Sequence, residues 1–314
     1  MHVLTWAARR IGVTAALLAG LLVVSFLLLH LVPGDPAVRV AGLNATPEQV
    51  TAVRQRLGLD QPIHRQFIGY VAHVFQLDFG RSFQTGEPVT EVIGSRLGVT
   101  LRLATAGIVV TMSAGVLIGL VMGALTREGR RRGAEASFAL GTSLAGAVPE
   151  YVTGALLALV FSVVLGWLPV AGLTGPSGLI LPTIAVSLAP AAVLSRIVRV
   201  ETLAVLAQEY ARAAWAKRLR PLRVYGVHVL PNALTAALTV GGLVFAGLLG
   251  GTVVVENVFA LPGLGSKLVE SVMARDYPVV QAVILLLGAA IVLVNGCVEA
   301  AVRLLDPRVR AATS

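Results

Sequence analysis

Six stretches of about twenty apolar residues, set apart by shorter polar segments, constrain this chain more than anything else in it. The first, residues 11–31, reads IGVTAALLAGLLVVSFLLLHL, with His30 near its end. At 1.5 Å per residue, about twenty helical residues cross the ~30 Å hydrocarbon core of a bilayer. Further spans are read at about 100–125, 137–165, 179–199, 233–255 and 279–302. Pro149 and Glu150 interrupt the third, and Pro182 and Pro190 lie inside the fourth. Such interruptions are tolerated where neighbouring helices satisfy the freed carbonyls. Of the 314 residues, 56% are hydrophobic and 13% charged, too little charge to cover a water-soluble domain of this size. A cleaved signal peptide is the competing reading of residues 11–31. The run is too long for one and no small-x-small site follows it, so an uncleaved first helix is expected.

The charges orient these spans. Arg9-Arg10, then Arg127 with Arg130-Arg131-Arg132, then a central basic loop, then Arg303, Arg308 and Arg310 all fall on one side if the chain crosses six times. The segment 166–178, on the other side, carries no charge; around 256–278, Lys267 and Arg275 are set against Glu256, Glu270 and Asp276. Positive loops stay in the cytoplasm, so both termini are expected there. The same asymmetry accounts for the net charge of +9 without nucleic acid. The spans are nearly free of charge, which argues against an ion-coupled carrier. The single cysteine, Cys297, permits no internal disulfide and has no His or Cys nearby for a metal; a buried structural thiol is expected. No internal repeat of the inverted-transporter kind is visible.

Two polar regions carry the rest of the information on the outer side. In 32–98, Pro33-Gly34-Asp35-Pro36 ends the first helix. Thr46-Pro47-Glu48-Gln49 is a helix start, with Thr46 as N-cap, Pro47 at the first position and Gln49 closing a capping box. That helix runs to Leu57, with Gly58 as its stop, and a second follows over Pro62–Phe75. These are too small to be stable alone and are expected to pack on the membrane helices. In Glu256–Gln281, Leu261–Gly265 forms a turn, Ser266 is a candidate N-cap for a helix over 267–274, and Tyr277-Pro278 starts the last span. Phe259 and Leu264 are candidate packing residues there.

The central basic loop is Glu209–Pro231, EYARAAWAKRLRPLRVYGVHVLP. Before Pro221 it is Ala-rich and helical, with Glu209, Ala213 and Lys217 on one face. Arg220 is biased away from helical angles by Pro221, which can itself start a second short helix. On composition alone it could be a lipid-facing basic loop. Its spacing resembles the "EAA" motif of permease subunits of bacterial ABC importers, with Glu209 opening it, Ala213 and Ala214 as the Ala pair, and Leu230-Pro231 closing it. Arg218 stands where the motif has Gly, and His228 where it has an aliphatic residue. An Arg in the left-handed conformation costs about 1–2 kcal/mol, so either Pro221 moves the turn downstream or that strain is carried.

Nearly the whole chain is similar to the peptide/nickel branch of these permeases, the DppB/OppB-like type. The resemblance rests on Val32–Pro36, Ala45–Gln49, Leu57–Pro62, Asp78-Phe79-Gly80-Arg81-Ser82, Glu256–Gly265, Arg275–Gln281 and Asp306-Pro307-Arg308. Glu299 and Val302 sit where the branch more often has Asp and Tyr. The resemblance implies an all-α integral membrane protein with six transmembrane helices, the type I ABC importer permease fold, and an extracytoplasmic helical insertion after the first helix. It divides the chain into 1–31 (cytoplasmic N-terminus and first helix), 32–98 (extracytoplasmic region) and 99–314 (permease core). The core carries the coupling loop at 201–232 and the outer loop at 256–278.

The implied location is the bacterial plasma (inner) membrane. The implied partners are a second, DppC/OppC-like permease subunit, two ATP-binding subunits, an extracytoplasmic substrate-binding protein and membrane lipid. The chain has no G-x-x-x-x-G-K-[ST], so ATP and Mg belong to the partner subunits; no cofactor, metal or catalytic residue is expected here. The implied coupling residues are Glu209, Ala213, Ala214, Lys217, Arg218, Leu230 and Pro231. The implied outer gate or receptor contacts are Asp78, Arg81, Glu256, Phe259, Pro262, Gly263, Arg275, Asp276 and Tyr277. Arg127–Arg132 is a candidate second cytoplasmic contact, or a lipid anchor. The cargo implied is dipeptides or short oligopeptides, with nickel chelates, glutathione or haem as alternatives, moved by alternating access. A membrane scaffold that holds a receptor without transport, and a proton-coupled carrier, are readings of other classes.

Overall fold

The computed structural model describes residues 2–31, 35–42, 44–129, 131–173 and 175–305. The readings on Val32–Gly34, Arg130, Asp306–Arg308 and Arg310 lie outside the described residues. Every element among them is helical: α1 His2–Leu31, α2 Pro36–Ala41, α3 Pro47–Arg56, α4 Ile63–Phe75, α5 Val89–Leu125, α6 Arg132–Ala147, α7 Glu150–Leu157, α8 Ile180–Leu206, α9 Glu209–Ala216, α10 Pro221–Arg223, α11 Leu230–Val258, α12 Leu264–Ala274 and α13 Tyr277–Leu305. Five of these are long and apolar enough to cross a membrane, and the bent α6–α7 pair makes a sixth crossing if counted as one.

Contacts between helices give the direction of each. α5 and α8 run parallel and in step. Gly107 faces Val186, Gly115 faces Leu194, Gly119 faces Val198 and Gly123 faces Thr202. A Cβ on Gly119 would stand 2.6 Å from Val198 Cβ and 2.7 Å from Ser195 O, so only glycine allows this approach. Parallel neighbours require the chain between them to return across the bundle, which is what α6 and α7 do. α11 runs antiparallel to α5, with Gly241 against Met112 and Glu256 bonded to Thr100. α1 runs antiparallel to α13, with Arg10 paired to Glu299 and Ser25 bonded to Gln281. The start of α1, the end of α13, α9 and α10 therefore share one face of the bundle. The segments 35–88 and 259–276 share the other.

The outer region packs as expected. Thr46 Oγ1 accepts from Gln49 N at 3.4 Å and Gln49 Oε1 accepts from Thr46 N at 2.9 Å, a complete capping box; Gly58 follows α3 at φ 67°. The Glu48 backbone N–H, with the Thr46 side chain, holds the Glu48 carboxyl below its ordinary range. α4 lies on α1: the Phe26 ring is 5.3 Å from Phe67, and the Tyr70 and Ser25 hydroxyls are 2.9 Å apart. Burial pushes the Tyr70 phenol up.

The third span is interrupted at Pro149 and Glu150, as read from the sequence: α6 ends at Ala147 and α7 starts at Glu150, bent by 101°, because Pro149 cannot continue α6. The helices of spans two, four, five and six extend beyond their apolar cores, α5 starting at Val89, since polar ends can stay helical outside the hydrocarbon. Two expectations are corrected. Ser266 does not cap α12, which starts at Leu264 after Gly263. Cys297 is exposed, not buried. An apolar run marks burial in a soluble protein, but a membrane helix is apolar on its lipid-facing side too.

Candidate functional site

The polar lever between α8 and α11 is built in steps. Gln208 is extended (φ −71°, ψ 152°) and separates α8 from α9. Ala211 and Ala214 are buried against the bundle, while Glu209, Ala213 and Lys217 stay exposed on the opposite face. α9 stops in the left-handed conformation at Arg218 (φ 52°), with Arg218 N donating to Trp215 O at 2.9 Å. The turn is thus where the motif has Gly, and the strain is carried. Arg220 is extended (φ −59°, ψ 138°), and Pro221 takes the first position of α10. α10 then runs through a π-helical stretch, Val224–Val229, into α11. Pro231 has no N–H and its ring crowds the carbonyl a turn back, so the wider turn accommodates it. Asn232 Nδ2 donates to His228 O at 2.8 Å, satisfying another carbonyl of that stretch.

Aromatic contacts that sequence reasoning missed hold the lever. Trp215 meets Tyr225 edge-on with ring centres 6.3 Å apart, and the Arg127 guanidinium lies 5.4 Å over the Trp215 ring. Burial pushes the Tyr225 phenol up, opposed by the Arg127 charge. Arg127 therefore joins the α5–α6 turn to the lever. At the same end, Arg199 of α8 pairs with Glu135 of α6, donates to Thr126 Oγ1 at 3.0 Å and lies over Phe138. Leu222, in α10, is 88% exposed, a large apolar side chain on the same end of the bundle. No sequence signal singled it out.

On the opposite face two buried carboxylates fasten the outer loop. Glu256 is fully buried. Its Oε1 accepts from Thr100 Oγ1 at 2.6 Å, and its Oε2 accepts from Gly265 N at 2.7 Å and Ser266 N at 3.2 Å. Thr100 Oγ1 in turn accepts from Leu264 N at 2.8 Å. A residue of α11 and one of α5 thus cap α12, whose N-terminal partial charge suits an anion. Gly263 leaves no room for a Cβ beside that carboxylate. Asp276, also buried, accepts from Ser82 Oγ and, at 2.9 Å, from Phe83 N, pinning the 78–88 loop to the start of α13.

Of the outer residues singled out in the sequence, Glu256, Phe259, Gly263, Asp276 and Tyr277 are buried. Asp78, Arg81, Pro262 and Arg275 are exposed. Arg81 Nη1 donates to Gly86 O at 2.8 Å, and Arg275 ends α12 at φ 53°. The structure brings Glu256, Phe259 and Gly263 together and places Asp276 and Tyr277 beside Ser82 and Phe83. Among the described residues there is no cluster of His, Cys, Asp and Glu that could hold a metal.

Parallel α5 and α8, a bent third crossing and a polar lever with one free face define a polytopic helical membrane protein. The chain belongs to the family described as the binding-protein-dependent transport system inner membrane component, which matches residues 115–311; the N-terminal component of the same description matches 3–104. It is 41% identical over 296 residues to a Brucella abortus protein named as a peptide transport system permease, covering 92% of this chain and 93% of that one. It is 41% identical over 305 residues to the glutathione transport system permease protein GsiC of Salmonella typhimurium, covering 96% and 97%. Its fold matches the inward-facing MetNI methionine ABC transporter with a TM-score of 0.59 at 18% identity, over 70% of this chain and 99% of that one.

Proposed function

We propose that this chain is the membrane-spanning permease subunit of an ATP-driven importer for short peptides. The observation that carries this is the lever: Glu209, Ala213, Lys217 and Leu222 stand free on the face that also holds both described chain ends, anchored behind by Ala211, Ala214 and Trp215. Similarity to proteins named for peptide and glutathione transport supports the cargo class, and glutathione, itself a modified tripeptide, is the second reading.

In this reading the lever face is cytoplasmic, following the arginines of α1, the α5–α6 turn and the lever. Partner ATP-binding subunits supply ATP and Mg and grip α9, which is packed on α8 and on the π-helical stretch that leads into α11 and so moves with them. A second permease completes the conduit. A receptor delivers cargo to the face that carries Asp78, Arg81, Pro262 and Arg275, while Glu256 and Asp276 keep that face in shape as the helices tilt. The division into an N-terminal span, an outer region and a permease core follows the same lines.

Glu209→Arg reverses the charge on the free face of α9 without touching its buried side. The variant is expected to insert and assemble with its partner permease, yet lose uptake and receptor-stimulated ATP hydrolysis in proteoliposomes. Wild-type uptake by that variant would refute the lever's role.

A further inference from the structure

A carboxylate stands at the break in the third crossing. Glu150 is the first residue of α7, just after the chain bends by 101°. Its side chain reaches across to α11: a Cβ on Gly251 would stand 2.6 Å from Glu150 Oε2. Gly251 lies within the apolar Val240–Val258 segment, so the carboxylate is at hydrocarbon depth. Among the described residues, none of the ion pairs involves Glu150.

A glutamate at a helix start is ordinarily explained by the helix dipole or by a bond to its own first-turn N–H groups. The N-cap of α7 is Pro149, which has no capping side chain, and Glu150 stands in its first turn with the carboxylate turned to a neighbouring helix. What it borders there is the bare backbone of Gly251. Gly247, Gly250 and Gly251 share one face of α11, and around Gly247 and Gly250 a Cβ would meet nothing within 4 Å. Gly247 and Gly250 are exposed on the outside of this subunit. An anion at that depth without a counter-charge is costly to keep, so it marks a place where a cation is taken.

We propose that Glu150 is a cargo-binding residue, which takes the protonated terminal amine of a short peptide passing along the Gly247–Gly251 face of α11. This rests on the import reading above. The glycines leave room for the cargo backbone, and the carboxylate selects its ammonium end.

The test uses the assembled complex, with partner permease, ATP-binding subunits and receptor, in lipid nanodiscs and proteoliposomes. Alanyl-alanine is the probe, and a water-soluble carbodiimide joins any ammonium held against a carboxylate. The expected result is a dipeptide amide on Glu150, found by mass spectrometry of the digested chain, and none with N-acetyl-alanyl-alanine. Glu150→Gln is expected to lower alanyl-alanine uptake about tenfold or more, the scale of one charge-assisted hydrogen bond. Glu150→Asp should retain more uptake than Gln, with complex assembly and receptor-stimulated ATP hydrolysis kept in both. Unchanged uptake by Glu150→Gln without a wild-type adduct overturns the proposal. So does loss of the partner permease from the Gln variant on size exclusion, which would assign the carboxylate to an inter-subunit ion pair. A wild-type complex that takes up no peptide overturns the import reading itself, and is distinguished because the failure precedes any substitution.

Discussion

Glu256 shows how a carboxylate is kept inside an apolar bundle with no ion pair to it among the described residues. Three donors and the start of α12 surround it, and each lies on an element distant in sequence or follows a turn. Glu256→Ala would leave the N–H groups of Gly265 and Ser266 unpaired in a buried place, at a cost of about 1–3 kcal/mol. The expected outcome is a lower melting temperature in detergent, with Thr100→Val showing part of the same loss. Arg218 predicts the opposite sign. It sits at φ 52°, so Arg218→Gly should relieve strain of about 1–2 kcal/mol and raise the melting temperature while leaving ATP hydrolysis coupled. The sequence shows Arg218 as a departure from a motif, but the angle it adopts depends on Trp215 and Leu219 around it. Glu256 and Asp276 could be picked from the sequence as unusual charges in an outer loop. That both are buried acceptors could not, because Thr100 and Ser82 lie more than a hundred residues away.

Among elements, the α5–α8 pair is the most tightly specified. Gly107, Gly115, Gly119 and Gly123 share a face of α5, and their spacing is visible in the sequence once a helix is assumed. In a membrane, two apolar helices gain nothing by leaving lipid for each other, so close backbone approach must come from small residues. Gly119→Leu is expected to force the pair apart, costing at least about 1–3 kcal/mol of overpacking. Reduced folded protein after detergent extraction, with insertion unchanged, would check this. Gly247→Leu on α11, where nothing stands within 4 Å, should leave extraction yield intact. The bent third crossing was partly legible, since Pro149 and Glu150 stand in its middle. The 101° angle was not, because it depends on α7 packing against α8 and α11 through Gly154.

For the whole molecule, the contacts put both described ends and the lever on one face and the 78–88 loop on the other. A cysteine scan tests the assignment of faces to compartments. In a Cys297→Ser background, Gln84→Cys should react with a membrane-impermeant maleimide in intact cells, and Lys217→Cys only after permeabilisation. The reverse pattern would invert the orientation and remove the lever from reach of any cytosolic ATPase. Cys297 must be replaced first because its thiol is exposed.

Apolar run length, arginine bias and local capping chemistry were enough to establish a helical chain of five or six apolar crossings, the α3 capping box, and a polar lever with Glu209, Ala213 and Lys217 on one face. These follow from forces that act within a few turns of helix, or between a segment and the bilayer, and so are written in contiguous residues. Which helices run side by side, which carboxylates are capped and which stands unpaired were decided only by the tertiary structure. Those outcomes depend on donors and glycines that meet from different crossings, and lipid, being as apolar as the helices, leaves no hydrophobic pattern in the sequence to say which faces meet.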